Sequence, residues 1–198
     1  MDNTRFVSLL TAILMTFSLC ACSTDESVEE TSSHSNEINA IVVYYSATGN
    51  TEKVAQTISD HFDIPIYELE PVDPYSEEDL NYSDEQSRVS IEYEEHINGD
   101  LEVELTTTDF DEFSDADYIF LGAPVWWQEL SWVVEDFVKE NDFSDKTIIP
   151  FATSASSDFN LDNLTPLAAN ADWGEARRFS SNVDEDEIIE WLNELNLS

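Results

Sequence analysis

Positive charge is what this sequence has least of. Lys and Arg number 7 against 44 Asp and Glu, a formal net charge of −37. With no basic stripe to neutralise phosphates, nucleic acid is excluded as a partner class, and anionic membrane surfaces would repel the chain. The acidity reads first as a solvated surface that resists aggregation. Steering of a cationic partner and adaptation to salt are its functional readings. Glycine is also scarce, at 4 residues. Neither glycine-rich nucleotide fingerprint is present: no G-x-x-x-x-G-K-[ST] and no G-x-G-x-x-G. Apolar runs are short, and the one at residues 6–19, "FVSLLTAILMTFSL", falls below the ~20 residues that cross a bilayer. Residues 158–163, "DFNLDN", begin like a calcium loop. Asn163 stands where that loop needs Gly, and Ala169 where it needs Glu, so no metal site is expected there.

The run at 6–19 has the length of a signal-peptide core. It is followed by "LCAC" (19–22), a Leu and a small residue before a Cys, which resembles the lipobox of bacterial lipoproteins. That resemblance implies a lipoprotein signal peptide over 1–21, with Cys22 as the lipidated first residue of the mature chain. It also implies an extracytoplasmic protein attached to the cell membrane through that lipid. Cys20 would be discarded, leaving no thiol for a disulfide or for catalysis. Residues 22–38, rich in Ser, Thr and Glu, read as a flexible tether, and 39–198 as the folded domain.

From residue 39, strand-like and helix-like runs alternate. "AIVVYY" (40–45) is a continuous apolar run typical of a parallel strand covered on both faces. Val54, Ala55, Ile58 and Phe62 behind it have helical spacing. "IPIYEL" (64–69) is a second strand, with Pro65 marking an edge. The acidic excursion over 70–113 is too long for a bare loop and predicts a helix near 83–96. A strand over 115–121 is followed by a turn set by Gly122 and Pro124, then by a helix over 130–140 with Leu130, Val133, Val134, Phe137 and Val138 on one face. Further expectations are a strand from 146, a helix over 159–171 that Pro166 interrupts, a last strand at 175–179 and a helix over 184–195. Five strands alternating with helices predict an α/β fold: an open five-stranded parallel sheet with helices on both faces. Ligands of such sheets bind beyond the carboxyl ends of the strands, at the topological switch point.

Three loops at strand ends have binding composition. "SATGNT" (46–51) offers hydroxyls at Ser46, Thr48 and Thr51 and a Gly at 49 ahead of a helix, the make-up of an anion site or of an ordinary helix cap. Without a Lys or Arg it suits a phosphate monoester that stays in place, not one that is transferred. "GAPVWWQE" (122–129) places Trp126 beside Trp127; either one indole stacks on something planar or both cap the core. "TSASSD" (153–158) brings hydroxyls again. The three histidines, His34, His61 and His96, show no catalytic partner.

Taken in this order, the motifs resemble the flavodoxins, and in particular bacterial flavodoxin-like proteins with a "GxPxWW" loop and a "GKTIIPF-T" strand. The resemblance covers most of residues 40–195 and implies the sheet order 2-1-3-4-5. It implies that Ser46, Ala47, Thr48, Gly49, Asn50 and Thr51 hold the phosphate of FMN. It further implies that Pro124, Val125, Trp126 and Trp127 flank the isoalloxazine, and that Thr153, Ser154, Ala155 and Ser156 close its other edge. Arg88 and Glu92 resemble an Arg-x-x-x-Glu pattern that orders the insertion near the flavin. Two departures stand out: Asp145 occupies a position usually held by Gly, and the third loop lacks its usual glycines. FMN would carry the redox chemistry, and acidic surroundings would disfavour its anionic reduced form and lower its potential. Electron transfer to a redox protein or a small-molecule acceptor is the leading expectation. An NAD(P)H:quinone-type flavin reductase and a non-enzymatic binding module on a degenerate fold are the alternatives.

Overall fold

The computed structural model describes residues 38–155 and 157–197. The signal segment, Cys22, the tether up to residue 37, Ser156 and Ser198 lie outside the described residues. No described helix is long and apolar enough to cross a membrane.

The sheet grows outward from β1 (Ala40–Tyr44), whose five residues are all buried. Alternation sends Ala40, Val42 and Tyr44 to one face and Ile41, Val43 and Tyr45 to the other, so both faces need cover. β2 (Ile66–Glu68) pairs with β1 on one side and forms the sheet edge, and Pro65, just before it, accepts a hydrogen bond from Val42 through its carbonyl. β3 (Tyr118–Trp126) lies on the other side of β1, and β5 (Thr147–Thr153) lies beyond it. All of these pairings are parallel. The last position is shared by two short strands, β6 (Asp172–Trp173) and β7 (Arg177–Phe179), each parallel to β5. The path β2-β1-β3-β5-β6 is the predicted order 2-1-3-4-5 with one hairpin strand, β4 (Glu129–Leu130), added off the end of β3.

Helices cover both faces. α1 (Asn50–Phe62) and α4 (Glu185–Glu194) bury Val54, Ala55, Ile58, Ile188, Trp191 and Leu192 on one face. α2 (Arg88–Asn98) and α3 (Glu135–Glu140) lie on the other, above a core rich in Phe and Trp. Asp184 caps α4 by accepting from the Glu187 amide. The excursion after β2 closes at its neck, where Val72 and Thr106 donate to the Glu104 and Glu70 carbonyls.

Four local expectations are corrected. Gly122 and Pro124 do not turn the chain: both are residues of β3, paired with Phe151 and Thr153, and the turn falls at Trp127–Gln128. The predicted helix over 130–140 is divided into β4, a 3-10 turn at Trp132–Val134 and the short α3, because Leu130 stays paired to Val125. No helix forms over 159–171: Asn160 bridges to Glu129 and residues 162–170 make successive turns. Pro166 has no amide to donate, and Leu164 and Ala168 still reach the core. The excursion helix begins at Arg88, several residues later than predicted.

Candidate functional site

Because β1, β3 and β5 are parallel, the loops after them leave the same edge of the sheet. The switch point lies between β1 and β3, where the chain order reverses from β2-β1 to β3-β5.

The first loop is shaped by Gly49, whose φ of +82° is the left-handed conformation that a side chain would strain. That turn launches the thirteen-residue α1. Ser46 Oγ accepts from the amides of Gly49 and Glu52, at 3.1 and 3.2 Å, and Asn50 Nδ2 donates to Thr48 Oγ1. The amides of Asn50 and Thr51, the first two of α1, have no acceptor among the described residues, as expected of a helix start. Thr48 is exposed. Thr51 is 1% exposed, and its hydroxyl meets that of Thr153 at 2.8 Å. The structure thus brings the first and third loops together through a bond that the sequence did not indicate.

The second loop is a two-residue hairpin. Trp127 and Gln128 both have positive φ, at +47° and +70°, the turn type that matches strand twist but favours Asn and Gly. Trp126 is buried, edge-on to Tyr45, Tyr75 and Trp132. Trp127 is half-buried and stacks flat on Tyr93 of α2, with centroids 4.5 Å apart and planes within 8°. Pro124 and Val125 are half-buried beside them. In the third loop Thr153 is buried and Ser154 half-buried, its amide donating to the Phe179 carbonyl; Ala155 is exposed, and Ser156 lies outside the described residues. Arg178 of β7 braces this loop, donating to the Ser154 carbonyl and to Asp158, both at 3.3 Å.

Arg88 and Glu92 meet in a buried hub. Glu92 Oε1 accepts from Arg88 Nε at 2.6 Å, while Oε2 accepts from the Tyr75 hydroxyl at 2.6 Å and from Trp132 Nε1 at 2.9 Å. The Arg88 guanidinium lies 3.9 Å from the centre of the Tyr75 ring. Burial and the bond to Glu92 push the Tyr75 hydroxyl far above the ordinary tyrosine range. This hub ties the acidic excursion to the 3-10 turn at Trp132, whose ring packs against Trp126 of the hairpin. His96, which showed no partner in the sequence, lies 2.9 Å from Glu129 and 3.4 Å from Glu135, a second tie between α2 and the hairpin. Helical spacing could have put Glu92 and His96 on one face of α2, but nothing in the sequence identifies their distant partners.

The first loop opens beside a cleft of about 350 Å³ whose walls include Tyr45, Ser46, Ala47, Tyr75, Glu68 and Glu70. Burial and then the neighbouring Glu52 and Glu70 hold the Glu68 carboxyl above its ordinary range. Every described Lys and Arg is committed elsewhere: Lys53 to the Val183 carbonyl, Lys146 to the Ser114 and Ala116 carbonyls, and Arg88, Lys139, Arg177 and Arg178 to carboxylates. Any anion at the first loop must therefore be held by amides, hydroxyls and the α1 dipole. The two unspent amides at the start of α1, beside the Thr48 hydroxyl, fit a phosphate monoester in this way.

A family model described as Flavodoxin matches residues 39–195. Among solved structures, a protein described as a candidate flavoprotein from Bacteroides uniformis is 29% identical. It covers 78% of this chain and 97% of its own, with a TM-score of 0.71. A second such protein, from Bacteroides eggerthii, is 26% identical over 80% of this chain and 98% of its own, with a TM-score of 0.69. A Lactobacillus acidophilus flavoprotein solved in complex with FMN shares the fold. It is 21% identical over 77% of this chain and 97% of its own, with a TM-score of 0.56. No curated protein matches the chain.

Proposed function

The chain belongs to the flavodoxin family, and from that premise we propose that it binds FMN across the three loops and works as an electron carrier or FMN-dependent oxidoreductase. The observation that carries this reading is the pair of unspent amides, of Asn50 and Thr51, at the β1/β3 switch point. The phosphate would accept from these amides and from the Thr48 hydroxyl, with the α1 dipole favouring its charge. Trp127 at the hairpin turn supplies an aromatic wall with Tyr93 stacked behind it, while Trp126 is buried beside it against Trp132, which donates to Glu92. Arg178 braces the third loop through the Ser154 carbonyl and Asp158. FMN supplies the redox chemistry, and the protein supplies orientation and electrostatics. Glu52, Glu68 and Glu70 set negative charge beside the cradle, so added charge on the flavin is disfavoured and its potential lowered. The lipobox-like "LCAC" supports attachment through a lipid on Cys22 at the extracytoplasmic face, where a redox protein or a small acceptor would meet the domain.

Titration of the refolded 39–198 domain with FMN tests this reading. Saturable binding, and a midpoint potential below that of free FMN, are expected. A colourless protein that also ignores added FMN would sink the proposal. A Thr48→Val variant is expected to weaken FMN about tenfold, the worth of a hydrogen bond to a charged group.

A further inference from the structure

We propose, on the FMN reading above, that Arg178 tunes the bound flavin: its guanidinium at the third loop favours the negative charge that reduction adds, against the acidity of the rest of the chain. Lys and Arg number 7 against 44 Asp and Glu, and two of the seven stand side by side in β7, at Arg177 and Arg178. Strand alternation sends them to opposite faces of the sheet. Arg177 is the register partner of Phe151, lies 5.7 Å from the centre of the Phe179 ring and reaches Glu187 of α4 at 3.8 Å, on the α1/α4 side. Arg178 is the register partner of Ala152, on the aromatic face that carries Trp126, and its guanidinium meets the loop that leaves β5.

Its contacts there leave it incompletely satisfied. Nη1 donates to the Ser154 carbonyl and Nε to Asp158, both at 3.3 Å, longer than the ~2.9 Å of a well-formed bond. Nη2 has no acceptor among the described residues, although every nitrogen of a guanidinium carries donors. The Asp158 side chain is 98% exposed and that of Arg178 33%, so water screens the pair. A tightly paired cation acts on its neighbours as a dipole; this one keeps most of its charge. Each electron that arrives without a proton adds one negative charge to a bound flavin. Arg178 at the third loop favours that charge, while Glu52, Glu68 and Glu70 by the first loop oppose it. Charge near the ring is one of the means by which a protein sets a flavin's potential. A brace acts differently: it holds the loop for oxidised and reduced flavin alike, so its loss changes both affinities and leaves the potential unmoved.

The test is the midpoint potential of the FMN-loaded protein, by dithionite titration, with the dissociation constants of oxidised and reduced FMN. It compares wild type, Arg178→Gln, Arg178→Lys, Asp158→Asn and Arg177→Gln. If wild type binds no FMN, the FMN reading fails and the tuning falls with it. If it binds, Arg178→Gln is expected to weaken reduced FMN about threefold more than oxidised FMN. That is a fall of about 28 mV for a one-electron step, at about 59 mV per tenfold. Asp158→Asn, which frees the guanidinium, is expected to raise the potential. Arg178→Lys, which keeps the charge without the planar fork, is expected to leave it in place even where affinity drops. Arg177→Gln removes the same charge from the opposite face and is expected to shift the potential less than half as far. Equal shifts in Arg177→Gln and Arg178→Gln would make the effect one of net charge alone and overturn the proposal. So would an unchanged potential in Arg178→Gln, the result expected of a brace. Should Arg178→Gln fail to fold, Asp158→Asn decides by direction: a rise supports the tuning, and no rise overturns it.

Discussion

The two faces of the sheet are built on different principles. Beneath α1 and α4 the core is a layer of aliphatic and aromatic side chains: Val42, Val54, Ile58, Phe120, Phe151, Ile188 and Leu192. Beneath α2 and α3 a larger aromatic core, with Trp126, Trp132, Phe137 and Phe143, encloses a carboxylate that receives three hydrogen bonds. The first face asks only for apolar residues of suitable volume at the right period. The second demands that Arg88 and Glu92 of α2, Tyr75 and Trp132, from three separate segments, arrive together. A satisfied polar hub specifies one arrangement, and a half-satisfied one costs more than an apolar core.

Substitutions that remove one residue from each face would break this contrast if it is wrong. Glu92→Ala leaves the Tyr75 hydroxyl and the Trp132 Nε1 without their acceptor and Arg88 without its close partner, and should cost about 3–5 kcal/mol. Ile188→Ala, a cavity on the α4 face, should cost about 2–4 kcal/mol. The shape-conserving pair is the sharper comparison. Glu92→Gln should still cost about 2 kcal/mol, since the ion pair is lost, whereas Ile188→Val should cost about 1 kcal/mol. Urea unfolding midpoints at constant slope measure all four. A Glu92→Gln variant no less stable than Ile188→Val would mean the hub adds nothing to ordinary packing.

The same division explains what could be read from the sequence. The α1/α4 face was legible, because Val54, Ala55 and Ile58 show their helical period and "AIVVYY" its buried strand without any knowledge of their partners. The three loops were legible as composition at strand ends. The bond between Thr51 and Thr153 was not, since no local pattern records a contact over 102 positions. Nor was the hairpin: Gly122 and Pro124 look like the turn, yet β3 runs through both. Gly122 serves packing instead, because a Cβ there would lie 2.1 Å from the Phe151 ring. Asp145 is the reverse case. The resemblance noted its departure from Gly, and its φ of +63° gives the physical reason for a Gly there.

Those positive φ values give a smaller prediction, and one specific to the hairpin on the aromatic face. Gln128 has φ +70° and stays there because its carbonyl accepts from both the amide and the side chain of Asn160, at 2.8 and 3.0 Å. A glutamine in this conformation costs about 1 kcal/mol, so Gln128→Gly should stabilise the apoprotein by about that much. Asp145→Gly should gain less, about 0.5 kcal/mol, since Asp tolerates the left-handed region better. Thermal melts of the two variants rank them. A destabilised Gln128→Gly would show that the side chain contributes more than its backbone strain costs.

The smallest effect separates the two kinds of carboxylate near the core. Glu92 has three donors; Glu68, at the rim of the α1 face, has the Tyr44 hydroxyl and is otherwise faced by Glu52 and Glu70. Burial first, and those like charges second, raise its folded pKa above that of the unfolded chain. The folded state therefore binds more protons over the window from the ordinary carboxylate range upward, so stability falls as pH rises through it and stays lower at neutrality. In acid, below both pKa values, the carboxyl is protonated in both states and carries no penalty. Glu68→Gln should thus melt about 1–2 °C above wild type at neutral pH, a shift kept small by solvent screening, and coincide with it in acid. The gap must open as pH rises. A gap that instead opened on acidification would mean that the Tyr44 bond outweighs the burial and the two neighbouring carboxylates, making Glu68 a second satisfied carboxylate and removing the contrast with Glu92.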